Sequence, residues 1–219
     1  MKVLSHADLK QRHRLEREDQ PADIRLRIHR ALSWLNRAEQ SQDDLDGQFI
    51  FLWISFNAAY SNLTDLDNRK PERAMFDHFL TRICELDNDK AIYETIWNEF
   101  PNSIRILLNN KFVFQPFWDF HNGFISEEDW QSRFDKANKD IHFALGKNNT
   151  GWVLSIVFSR LYTLRNQILH GGATWNSQIN RDQMRDAVAI LSKLIPQIIK
   201  TLMDNPDQFV GEAVYQVVK

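Results

Sequence analysis

Arg165-Asn166-Gln167-Ile168-Leu169-His170 places a permanent cation, an amide and a titratable imidazole within about one and a half helical turns. A guanidinium offers a planar fork of donors that matches phosphate oxygens. An imidazole exchanges protons near neutral pH, and an amide beside either group can hold it in orientation. Together these are the parts that phosphodiester chemistry requires when no metal is used.

The element that carries them reads as a helix over 152–170, ended by Gly171-Gly172. At 100° per residue, Val153, Val157, Leu161, Leu164 and Ile168 form an apolar stripe, widened by Leu154, Phe158, Tyr162 and Leu169. Ser155, Ser159, Thr163, Asn166 and His170 align as a polar stripe. Arg165 breaks this division, falling in the apolar sector between Leu154, Phe158 and Leu169. Such an arginine needs a carboxylate or amide partner, or an interface that stays wet. The ordinary alternative is a stem that packs while the head reaches solvent.

Supporting residues lie nearby in sequence or on a neighbouring helix. Trp175, in the loop after His170, is free to stack on a base, while Arg181 and Arg185 are one turn apart and could hold phosphates. Asp182 and Asp186 alternate with them, which an exposed salt-bridged helix explains equally well. Asn57 interrupts the apolar run from Phe49 to Tyr60; it is expected either to reach Arg165 or Asn166, or to bond a local carbonyl.

Other chemistries lack support. The remaining histidines form no H-E-x-x-H or comparable ligand pair, so neither a metal nor a cofactor is expected. Cys84 lies among Phe79, Leu80, Ile83 and Leu86 and reads as a buried thiol. There is no P-loop, no G-x-G-x-x-G and no G-x-S-x-G. The single cysteine and a charged N-terminal stretch without an apolar core point to a cytoplasmic protein without a secretory signal. The Phe49–Tyr60 run is too short to span a bilayer.

These residues must be positioned by helices. Apolar residues are 43% and charged residues 26%, a globular mixture, and only 7 Gly and 6 Pro in 219 residues imply few, long elements. The fold class is therefore all-α, with helices over 22–40, 47–63, 152–170 and 178–203 forming one bundle in a single domain. Residues 1–20 read as a polar lead-in with a frayed helix over 8–18, 71–145 as an insertion-like helical elaboration and 205–219 as a tail. Pro71 should open a helix, 111–118 reads as extended or irregular, and Pro196 should kink the last helix. Lys and Arg exceed Asp and Glu by nine to six in residues 1–40 and by six to two in 152–200; between these segments acids lead by eighteen to eleven. Two weakly basic segments can thus form a local basic cleft despite a net charge of −2.

Leu164-Arg165-Asn166-Gln167-Ile168-Leu169-His170-Gly171 resembles the R-x4–6-H motif of the HEPN superfamily, including the polar residue directly after the arginine. Phe51-Leu52-Trp53-Ile54-Ser55-Phe56-Asn57-Ala58-Ala59-Tyr60 is similar to the aromatic-rich second helix of the Apea-like HEPN group. The resemblance covers about 20–64 and 150–203. It implies a homodimer whose motif helices face a shared cleft and metal-independent cleavage of RNA in toxin, defence or RNA-processing systems, where an antitoxin or defence partner is possible. In that role Arg165 would stabilise charge on the phosphate, Asn166 would orient, and His170 would be the general acid or base. Many members are instead non-catalytic modules binding RNA, nucleotide or protein.

Overall fold

Ile24, Ile28, Leu32 and Leu35 recur at helical spacing, and all four are buried on one face of a helix that packs extensively on its successor. The computed structural model describes residues 4–61, 72–209, 211 and 213, and among these no β-strand occurs. Ten α-helices follow in order. They are α1 (His6–Glu16), α2 (Ala22–Glu39), α3 (Leu45–Tyr60), α4 (Glu72–Glu85) and α5 (Ala91–Glu94). After these come α6 (Pro101–Asn109), α7 (Gln115–His121), α8 (Glu127–Gly146), α9 (Thr150–Leu169) and α10 (Arg181–Asp204). The all-α class is observed. The expected helix end at Leu63 and the opening at Pro71 fall outside the described residues.

Helices α2, α3 and α10 pack on one another, and α9 joins them through α3 while resting on α4. Trp53, 1% exposed, is the hub: its ring meets those of Phe49, Phe56, Phe76, Phe158 and Tyr162 at 5.7–6.5 Å. Those spacings suit offset and edge-on aromatic contacts. Ser55 lies in the same buried run and is satisfied by donating to the Ala31 carbonyl of α2 at 2.7 Å. Arg27 is buried on α2 and donates to the Ala59 carbonyl at the end of α3 and to the Phe209 carbonyl. Its charge thereby meets carbonyls left over at a helix terminus.

Three elements differ from the sequence-based expectation. The lead-in is the expected helix, but capped and docked rather than frayed: Ser5 and Asp8 form a reciprocal capping box, and Leu9 and His13 are buried against α2. The 111–118 stretch is a 3₁₀ turn (Lys111–Val113) leading into α7, with Pro116 in the first turn, where its missing N–H costs nothing. The last helix begins at Arg181 rather than near residue 178, and Pro196 is buried inside it, as the expected helix through that position requires. The middle of the chain is also not a detached unit. Phe76, Leu80, Ile92, Ile104 and Ile141 belong to the same continuous apolar core as α2, α3, α9 and α10.

Candidate functional site

The motif residues close α9. Asn149 caps its start by accepting from the Trp152 amide, and His170 caps its end, with its own amide donating to the Asn166 carbonyl at 3.0 Å. Gly171 follows at φ +72°, a conformation that costs other residues a Cβ clash, and its amide bonds the Ile168 carbonyl. Next to it, a Cβ on Gly172 would stand 3.1 Å from the Gln167 carbonyl oxygen. Both glycines are therefore part of how the helix stops.

Arg165 is half-buried and meets no carboxylate among the described residues. Its Nη1 donates to Asn166 Oδ1 at 2.9 Å, its Cζ lies 5.7 Å from the Tyr162 ring centroid, and its Nε is buried without a hydrogen-bond partner. An amide and an aromatic face thus hold the cation, which leaves its charge unneutralised and most of its donors unspent. His170 is exposed to solvent. Five residues at 100° each set it about 140° around the helix from Arg165. One chain therefore presents the cation and the imidazole toward different directions, and the Asn166 side chain serves the arginine.

Gln167, within the motif, locks the helix to its surroundings. Its Nε2 donates to the Phe112 carbonyl at 2.6 Å, and its Oε1 accepts from Asn180 Nδ2 at 3.3 Å. The loop beyond is tied to the start of α3. Trp175 Nε1 donates to Asp44 at 3.2 Å, and the Asn176 amide donates to Asp46 at 2.8 Å. Arg181 pairs with the same Asp46 at 3.0 Å and donates from Nε to the Ser177 carbonyl. A void of about 10 Å³ remains under this loop, bordered by Asp46, Leu164, Gln167 and Met184.

Of the expected supporting residues, Trp175 is tied to Asp44 at the start of α3 and keeps an open face at 74% exposure. Arg181 is bound to the largely buried Asp46, whereas Arg185 makes one exposed pair with Asp182 and keeps its remaining donors open. Asn57 does not reach Arg165 or Asn166, and its Oδ1 is buried without a hydrogen-bond partner. The reason is direction. Trp53 meets both Phe158 and Tyr162 while Phe56 meets Phe158, so α3 and α9 run antiparallel, and moving from Trp53 to Asn57 leads away from Arg165.

Sequence reasoning missed Arg160, which is 3% exposed, donates to the Leu108 carbonyl and lies 4.4 Å from the Phe114 ring centroid. The same helical wheel places it beside Val153 and Leu164, so the signal was present. Asp46 was also missed, because an acid in a first turn is ordinary. Elsewhere, burial first and then Asp87 and Glu85 push the Cys84 thiol up to about 12. No protein-family model matches the chain, and comparison with curated proteins and with solved structures returns no match.

Proposed function

We propose that the protein is a metal-independent endoribonuclease whose reacting groups are Arg165, Asn166 and His170. The observation that carries this reading is the half-buried Arg165 guanidinium, neutralised by no carboxylate among the described residues and held by Asn166 and Tyr162 on the helix end that bears the exposed His170. The arginine supplies donors to the non-bridging phosphate oxygens as charge develops on them. His170 takes the proton of the 2′-hydroxyl, whose oxygen attacks phosphorus, or returns a proton to the 5′-oxygen as the P–O5′ bond breaks. The products are a 2′,3′-cyclic phosphate and a 5′-hydroxyl.

The angular separation of Arg165 and His170 favours assembly of the cleft from two copies, each supplying part of it. Leu169, Trp175 and Ile179 are exposed around the motif and suit such an interface. The resemblance to HEPN proteins extends the proposal to toxin or defence systems with an antitoxin-like partner. A second reading, a non-catalytic module binding RNA, nucleotide or protein, is favoured by the engagement of Asn166 with Arg165 and of Arg181 with Asp46.

Cleavage of a broad RNA panel in EDTA separates the two. The wild-type chain should cut, and His170→Ala and Arg165→Ala should each lower the rate by roughly 10²–10⁴-fold. Arg165→Lys should fail as well, since a point charge does not reproduce a two-donor contact with phosphate. Cleavage unaffected by His170→Ala sinks the assignment, and intact RNA throughout favours the binding module. Light scattering should give twice the chain mass.

A further inference from the structure

A second concentration of cationic and imidazole groups lies on α1, α2 and the turn between them, apart from the motif helix. His13, Arg17, Glu18, Arg25 and His29 line an open cleft of about 550 Å³, floored by Ala22 and Leu26. Glu18 is the one carboxylate among these lining residues; it accepts from Arg25 Nη1 at 3.1 Å and forms an ion pair with Arg17, whose Nε lies 3.0 Å away. Each guanidinium has five N–H donors, so both forks retain most of their capacity. The Glu18 side chain is 71% exposed, which leaves it free to swing aside.

Lys10 extends the cationic wall, with its Nζ 3.4 Å from His29 Nδ1. Because an ammonium only donates, that Nδ1 accepts and the proton of neutral His29 sits on Nε2. The His13 ring lies 6.5 Å from that of His29 and is 2% exposed, and its Nδ1 is buried without a hydrogen-bond partner. Burial first, and then the surrounding cations, lower the pKa of His13, His29 and Lys10 alike. Burial is the larger cause in each, and the neighbouring cations add to it, so an anion placed in the cleft would offset the second part.

We propose that this cleft binds the phosphate of a small phosphomonoester of nucleotide size, with Arg17 and Arg25 clamping the phosphate oxygens and His13 and His29 lining the same wall. A dianion matches the site better than a carboxylate, because Glu18 already supplies one negative charge and the two arginines with Lys10 still exceed it. The open cleft leaves room beside the phosphate for the group that carries it. The inference is independent of the ribonuclease reading, since it uses none of the motif residues.

Calorimetric titration of the full chain at about 50 mM salt tests it, with AMP, inorganic phosphate and adenosine as probes. AMP should saturate with a dissociation constant below about 1 mM, while adenosine should give no heat of binding. Arg17→Gln and Arg25→Gln should each weaken AMP about 10-fold or more, the double variant should abolish binding, and Arg133→Gln on α8 should change nothing. Phosphate binding as tightly as AMP assigns the site to the phosphate group alone; tighter binding of AMP assigns it to the nucleotide. Failure of AMP to saturate by about 10 mM, or saturation unaltered in the double variant, overturns the proposal. RNA cleavage, read separately, stands or falls with Arg165 and His170.

Discussion

His13 makes the fold sensitive to acid in a way that one substitution isolates. The unfolded chain takes up this proton near 6.5, whereas in the folded chain burial, then Lys10, His29, Arg17 and Arg25, hold the imidazole at about 4. A folded value below the unfolded one means that the unfolded state protonates first. The stabilisation is therefore complete above pH 6.5 and is lost as pH falls toward 4. At 1.36 kcal/mol per pKa unit the full loss is about 3 kcal/mol, of which about 2 kcal/mol falls between pH 7 and pH 4.5. Urea unfolding followed by tryptophan fluorescence in phosphate-free buffers measures it. His6 and His29 are lowered too, but these groups are common to both proteins. His13→Leu keeps the apolar volume and removes only this proton, so wild type should lose about 2 kcal/mol more than the variant over that range. A difference under about 0.5 kcal/mol refutes the buried neutral imidazole.

Asp46→Ala removes the partner of both Arg181 and the Asn176 amide in a pair whose side chains are 14% and 15% exposed. It should cost about 2–4 kcal/mol in chemical unfolding and speed amide exchange in residues 174–181. Gly171→Ala should cost about 1 kcal/mol, because alanine at φ +72° is strained, and Gly171→Asn should recover part of that loss. Cys84, half-buried and pushed up to about 12, should react with Ellman's reagent at pH 8 about a thousand-fold more slowly in the folded chain than in urea; a ratio under ten contradicts the raised value.

Helix periodicity made most of the fold legible. The stripes in α2 and α9 are wide, and Gly171, which follows the end of α9, is an ordinary signal that the backbone uses as expected. Helix α1 was harder, because only Leu9 and His13 of its eleven residues are buried and its docking depends on a long-range partner. The 111–121 segment hides two short helical pieces behind a run of aromatics that periodicity cannot parse. At the site, the wheel placed Arg165 in the apolar sector, where it is half-buried, yet it could not say which way α3 runs past α9, and that direction takes Asn57 out of reach. Ion pairs across the fold, such as Asp46 with Arg181, leave no local pattern at all.

The clasp that Arg27 makes between the end of α3 and Phe209 has a consequence for synthesis. Arg12 with Asp204, Arg27 with Phe209 and Asp23 with Ala213 join residues 192, 182 and 190 positions apart. On a ribosome, α1 and α2 emerge well before α10, and the Arg27 cation lacks one of its final acceptors until Phe209, 182 positions later, is made. Helices can form as they appear, but closure waits for these distant residues. During elongation the apolar faces of α2 and α3 stay uncovered on the side that α10 finally fills.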